Sequence, residues 1–112
     1  MKAYVPDAGD LVWLTFDPQT GREQAGRRPA LVLSPAAYNV KSGLALMCPI
    51  TSRAKGYPFE VALPPGFPVS GVILADQLKS LDWRDRRAEL IGPLSNEAVG
   101  EVLDRLAPLL GF

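Results

Sequence analysis

Hydrophobic and polar positions alternate between short apolar runs and sharp punctuation over most of the chain. The runs are Leu11-Val-Trp-Leu-Thr-Phe16, closed by Asp17-Pro18; Ala30-Leu-Val-Leu33, entered through Pro29; residues 44–50; Phe59-Glu-Val-Ala-Leu63, closed by Pro64-Pro65-Gly66; and Val72-Ile-Leu-Ala75, ending at Asp76. A sixth covers residues 88–91. Runs of this length bounded by Pro, Gly and Asp predict β-strands. Pro49, near the end of the third run, predicts an edge position or a bulge, because proline lacks the N–H a ladder needs. The pattern then changes. Val99, Val102, Leu103, Leu106 and Leu110 follow a helical stripe. Ser95 can cap its start behind Pro93, Glu97 suits its first turn, Pro108 disturbs its last turn and Gly111 ends it. A shorter helical turn is expected near residues 34–38. Strands this short favour a twisted, barrel-like sheet over a sandwich. The expectation is a mainly β fold, a compact barrel of five to seven strands with a C-terminal α-helix.

The chain has 112 residues, 47% hydrophobic and 21% charged. Those values suit one globular domain, residues 1–112, with a modest core. No apolar run has the length of a membrane span, and the first ten residues lack the apolar stretch of a signal peptide. The chain therefore reads as cytoplasmic, with no membrane partner. The single cysteine, Cys48, excludes an internal disulfide and reads as a small buried hydrophobe.

Histidine is absent. A Ser-His-Asp triad, a Cys-His pair and a histidine ribonuclease dyad are thereby excluded, and one cysteine gives no basis for a zinc site. Neither a metal nor a cofactor is expected. Catalysis, if any, must move protons through carboxylates, Arg, Lys, Tyr or solvent. Twelve Lys and Arg balance twelve Asp and Glu overall. Within residues 22–55, however, Arg22, Arg27, Arg28, Lys41, Arg53 and Lys55 face Glu23 alone. A neutral protein with one basic segment can bind a polyanion locally.

Three segments can carry chemistry. In Glu23-Gln-Ala-Gly-Arg-Arg-Pro29, Arg28 precedes proline, so its backbone is extended and its side chain leaves the mouth of a strand, able to fork onto phosphate oxygens. Taken alone, the segment reads first as a solvated loop with surface arginines. Thr51-Ser52-Arg53 sits where an apolar strand meets a basic loop running to Lys55, and is either a phosphate-oxygen site or an ordinary turn. Asp76-Gln77, with Lys79, follows four apolar residues, which places the carboxylate at a sheet rim. Trp13, Trp83, Phe16 and Tyr57 offer stacking surfaces for bases, although core packing is the default for tryptophan in a chain this small.

The segments Tyr4-Val-Pro-Asp-Ala-Gly-Asp10, Asp17-Pro18, Gly21-Arg-Glu-Gln-Ala-Gly-Arg-Arg-Pro29, Leu33-Ser-Pro35, Pro49-Ile-Thr51, Lys55-Gly-Tyr-Pro-Phe-Glu60 and Ala75-Asp-Gln-Leu-Lys-Ser-Leu-Asp-Trp83 resemble, in consecutive order, the MazF/PemK/Kid toxin family. The Glu-Gln-x-Gly-x-Arg-Pro element is the most specific; the C-terminal helix matches in position and pattern. The resemblance implies an SH3-like or CcdB-like β-barrel working as a homodimer. It also implies sequence-specific cleavage of single-stranded mRNA, held in check by a MazE-like antitoxin that alone brings the complex to DNA. Carried over by motif, Arg28 is the principal catalytic residue, Thr51 its partner and Glu23 a candidate base or orienting group. Gln24, Arg27, Ser52, Arg53, Lys55, Asp76, Gln77 and Lys79 are candidate substrate contacts. Asp76 matches a carboxylate given a catalytic or substrate-contacting role in the PemK/Kid branch. That branch also uses a histidine this chain lacks, which leaves the role of Asp76 open.

A metal-free ribonuclease attacks with the substrate's own 2′-hydroxyl, so DNA is bound uncut. Two other readings share the fold. A CcdB-like toxin poisons gyrase, but that branch relies on a tryptophan near the chain end, where this chain has Leu110-Gly-Phe112. The other is a non-catalytic SH3-like binding module.

Overall fold

The computed structural model describes residues 3–15 and 27–112. Seven strands form one sheet: β1 (Asp10–Thr15), β2 (Arg27–Val32), β3 (Leu44–Thr51), β4 (Glu60–Ala62), β5 (Val72–Leu74), β6 (Lys79–Asp82) and β7 (Glu89–Pro93). Helix α1 (Ala36–Ser42) joins β2 to β3, and α2 (Asn96–Leu106) follows β7. The strand order is β4-β5-β3-β2-β1-β7, with β6 also on β3. All pairings are antiparallel.

The near-continuous apolar runs in β1 and β2 follow from burial on both faces, whereas β3 exposes Leu44 and Leu46 and buries Ala45, Met47, Cys48 and Ile50. Successive residues of β1 enter opposite cores: Leu11 joins Leu31, Cys48, Ile50 and Ile73 beneath α2, and Val12 joins Ala30, Val32, Met47 and Trp83. In the middle of β1 and at the end of β2, alternation is lost because a core lies on each face.

β3 forks. On one edge it pairs with β2; on the other, residues 44–47 pair with β6 and Ile50–Thr51 with β5. Leu46 directs its backbone towards β2, its carbonyl accepting from Leu33 N–H at 2.8 Å. Pro49, three residues on, therefore faces the forked edge, between the last β6 pair (Met47↔Lys79) and the first β5 pair (Ile50↔Ile73). The expected edge position gives way to an interior strand. The missing N–H falls at the break between two partners, where no ladder bond is lost.

The mainly β fold with its C-terminal helix is what forms, but the sheet is not closed into a barrel: among the described residues no ladder joins β4 to β7. Side chains occupy that side instead. Phe67, from the β4–β5 connection, packs close to Gly92 of β7, and Val102 of α2 enters the same core as Val61 of β4. Ser95 caps α2, its Oγ accepting from Ala98 N–H at 3.2 Å. The helix gives way at Leu106 to a 3₁₀ turn, Ala107–Leu110, containing Pro108 and ending at Gly111 with φ 89°. Of the expected stripe, Val102 and Leu106 are buried, Val99 is half-buried, and Leu103 and Leu110 are exposed.

Two features had no counterpart in the pattern. β6 carries one inward apolar residue, Leu81, and so no run. Asn39 of α1 is fully buried: its Nδ2 donates to the carbonyls of Pro6 (2.7 Å) and Ser34 (2.9 Å), and its Oδ1 accepts from Ser34 Oγ (2.6 Å). The Asn39 carbonyl accepts from Trp83 Nε1 at 2.9 Å. This hub ties the N-terminal segment, α1 and the β6–β7 turn together. No helix among the described residues is long and apolar enough to cross a membrane.

Candidate functional site

The fork of β3 opens a groove. A cavity of about 310 Å³ is lined by Thr51 at the end of β3, by Arg53, Lys55, Tyr57 and Phe59 from the β3–β4 loop, by Glu60 and Leu74 from β4 and β5, and by Asp76 and Gln77 from the 3₁₀ turn after β5. Five expected contact residues, Thr51, Arg53, Lys55, Asp76 and Gln77, thus share one wall system.

Thr51 is half-buried, and its Oγ1 accepts from Arg53 N–H at 3.1 Å. One lone pair is thereby used, and the hydroxyl proton remains available to donate. The Thr51 carbonyl is crowded by Gly71, which has φ 128°. A Cβ at Gly71 would lie 2.1 Å from the Thr51 carbonyl oxygen, so only glycine permits this approach. Among the described residues, neither Arg53 nor Lys55 pairs with a carboxylate. Both are exposed.

Arg28 is exposed near the start of β2, paired with Leu14, and its side chain makes no hydrogen bond to a described residue. The β2–β3 ladder pairs Ala30 with Pro49. Continued two steps, the same register sets Arg28 across from Thr51, with both side chains on one face by strand alternation. Arg27 differs. Its guanidinium donates to Thr15 Oγ1 (3.1 Å) and to the carbonyls of Arg87 (3.0 Å) and Arg86 (3.4 Å), and pairs with Glu89 at 3.0 Å. It fastens β2 to β1 and to the β6–β7 turn. Ser52 and Lys79 are exposed and lie outside the groove lining, Lys79 opposite Met47 on β6. Glu23, Gln24 and Phe16 lie outside the described residues.

Of the aromatic candidates, Trp83 is buried and carries the Arg84 guanidinium over its ring at 4.6 Å. Trp13 is half-buried in β1. Tyr57 stands in the groove, 52% exposed, its ring tilted on Phe59 with centroids 5.7 Å apart. Sequence reasoning missed Glu60, whose carboxylate accepts from the backbone N–H groups of Lys55 and Gly56 at 3.0–3.2 Å. Its signal was faint: one acidic residue inside a predicted strand beside a basic loop.

Cys48 lies behind the groove, buried, its thiol near the Ala75 carbonyl. Burial, assisted by the Asp76 carboxylate, pushes the thiol up to about 12. It is therefore a thiol and not a nucleophile at neutral pH. Among the described residues no group of three or more His, Cys, Asp or Glu is placed to hold a metal ion.

The family model described as the PemK-like, MazF-like toxin of type II toxin-antitoxin systems matches residues 7–110. The chain is 51% identical over 108 residues to the endoribonuclease toxin MazF of Escherichia coli K12, covering 96% of each chain. It is 63% identical to the solved MazF of Deinococcus radiodurans, with a TM-score of 0.88 over 98% of this chain and 100% of that one. For a MazE–MazF structure from the same organism the values are 58% identity, a TM-score of 0.88, and 98% and 99% coverage.

Proposed function

The chain belongs to the PemK-like, MazF-like toxin family of type II toxin–antitoxin systems, and from that premise we propose that it is an endoribonuclease toxin that cuts single-stranded mRNA at preferred sequences. The relatives named as endoribonucleases support the activity. The observation that carries the site is the Thr51 hydroxyl, which accepts from Arg53 N–H, on the wall of a groove whose cations pair with no carboxylate among the described residues.

In this reading a phosphodiester lies across Thr51 and Arg28. The 2′-hydroxyl attacks the adjacent phosphorus, the bond to the 5′-oxygen breaks, and the products are a 2′,3′-cyclic phosphate and a 5′-hydroxyl. Charge builds on the non-bridging oxygens at the transition state. Arg28, planar and permanently charged, grips them in a fork, and the Thr51 proton adds a further donor. Arg53 and Lys55 hold neighbouring phosphates, and Asp76 and Gln77 face the bases or ribose from the opposite wall. Glu23 is the proposed base or orienting group, with Gln24 beside it. Arg27, already committed to Glu89 and three oxygens, acts by holding the strand that presents Arg28.

The working unit is proposed to be a homodimer, with exposed Leu103, Leu109 and Leu110 available as apolar surface. Its inhibitor is a MazE-like antitoxin, as in the Deinococcus complexes. An acidic segment of that antitoxin would lie against Arg28, Arg53 and Lys55, so inhibition weakens as salt rises.

The deciding experiment incubates the purified protein with an RNA ladder in excess EDTA. Cleavage with cyclic-phosphate ends is expected, with DNA bound but uncut. Arg28→Ala is expected to slow cleavage at least about a hundredfold while the domain stays folded. Activity abolished by EDTA and restored by magnesium overturns the mechanism; near-normal turnover by Arg28→Ala overturns the assignment.

A further inference from the structure

Glu60 lies in the groove with two cations and pairs with neither. Its Oε1 accepts from Lys55 N–H (3.2 Å) and Gly56 N–H (3.0 Å), and its Oε2 accepts again from Lys55 N–H (3.0 Å). The Glu60 N–H donates to the Tyr57 carbonyl at 3.1 Å, and the turn passes through Gly56 at φ 79°. From the other side the Arg105 guanidinium of α2 donates to the Pro58 carbonyl, and Ala75 N–H donates to that of Phe59 at 3.1 Å. Every backbone from Lys55 to Phe59 is therefore held, in a stretch whose first four residues are exposed and would otherwise sample many conformations.

Two consequences follow. Backbone donors satisfy the Glu60 carboxylate, which stays off Arg53 and Lys55 and leaves both for an outside anion. The Tyr57 ring is half exposed and backed by Phe59, an open aromatic face beside two cations that no described carboxylate pairs. The Trp83 ring is buried beneath Arg84 and offers no such face.

We propose that Glu60 is a positioning residue that builds a nucleotide subsite from the β3–β4 loop, in which a base stacks on Tyr57 and the adjoining phosphate sits between Arg53 and Lys55. This rests on the RNA-cleaving reading and extends it to a specific part of the substrate. The subsite contributes affinity and register, and bond breaking stays with Arg28 and Thr51. Loss of the loop's anchor transfers its ordering cost to the binding step, so KM rises and kcat holds.

The test uses the full chain and an RNA oligonucleotide it cuts, intact or with one abasic nucleotide placed at each position in turn. Tyr57→Ala is expected to raise KM between about fivefold and a hundredfold, the range of one base–aromatic stack, with kcat changed by less than about threefold; Tyr57→Phe keeps the ring and stays near wild type. One abasic position should reproduce the Tyr57→Ala loss, and combining the two should add nothing. Glu60→Ala should raise KM and erase the penalty at that same abasic position, and Glu60→Gln, which keeps one acceptor, should lie between. A merely structural loss lowers the active fraction and leaves KM and the abasic pattern alone. An unchanged KM in Tyr57→Ala, or no abasic position sharing its loss, overturns the subsite. An unchanged KM and abasic pattern in Glu60→Gln, read even if Glu60→Ala does not fold, overturns the positioning role. If the wild-type chain cuts no RNA, the functional reading fails separately. Equilibrium binding of a fluorescent single-stranded RNA then decides the subsite: weaker binding by Tyr57→Ala supports it, and equal binding overturns it.

Discussion

Gly71→Ala places a methyl where the structure has only backbone. Its Cβ would stand 2.1 Å from the Thr51 oxygen, 2.8 Å from the Thr51 carbonyl carbon and 3.0 Å from Ser52 Cα. None of these can rotate away as a side-chain tip would. Overpacking of this kind costs about 1–3 kcal/mol, and the positive φ of 128° adds about 1–2 kcal/mol for an L-residue. Together they reach about 3 kcal/mol, which for a domain of this size lowers Tm by about 13 °C. Gly66→Ala is the internal control. Its φ is 108°, but nothing lies within 4 Å of its Cβ, so it carries the conformational part alone. Thermal and urea unfolding of both variants isolates the contact. RNA cleavage, measured where Gly71→Ala stays folded, should fall further than the folded fraction, because Thr51 must move to admit the methyl. If both variants melt within about 2 °C of each other, the backbone contact is not a constraint and the account of how Thr51 is held is wrong.

Gly100→Ala, in α2 where a Cβ meets nothing within 4 Å, should stabilise the domain by about 0.5–1 kcal/mol in urea unfolding. Asn39→Ala removes the donor to two carbonyls and the acceptor for Ser34, and should cost about 3 kcal/mol; Asn39→Asp should be worse at neutral pH, because it sets a carboxylate against those carbonyls. Cys48 should resist thiol reagents until the protein unfolds. Its folded pKa of about 12 lies above the ordinary thiol value of 9.0, so its contribution is fully present below pH 9.0 and is lost as pH rises towards 12. A Cys48→Ala variant should lack that part of the alkaline destabilisation, as read from urea midpoints across the range.

The strands that were legible are those with buried faces. Residues 11–15 and 30–32 announce themselves because both faces of β1 and β2 are largely covered there, and residues 44–50 because the run is apolar throughout, although Leu44 and Leu46 are exposed. β6 stayed hidden because Lys79, Ser80 and Asp82 are exposed and it holds its place by pairing with β3, a partner no local pattern encodes. Pro49 argued for an edge because a proline reports a missing donor and cannot report that the neighbouring ladder is also interrupted there. In the site, the Thr51, Arg53, Lys55, Asp76 and Gln77 cluster was legible by resemblance. Glu60 and Gly71 were not: one is defined by backbone N–H groups four and five residues away, and the other by a carbonyl twenty residues earlier.

The fork in β3 also divides the molecule by rate of opening. β5 pairs with β3 at two positions, Ile50↔Ile73 and Thr51↔Val72, and among the described residues β4 pairs with β5 alone. β1 and β2 share five pairs and are sealed between two cores. Amide exchange should therefore be fastest in the β4–β5 hairpin and slowest in β1 and β2, in separate cooperative steps. Thr51, Leu74 and Asp76 sit on the side that opens first. On slow heating, the groove should come apart while most of the protons in the core remain unexchanged.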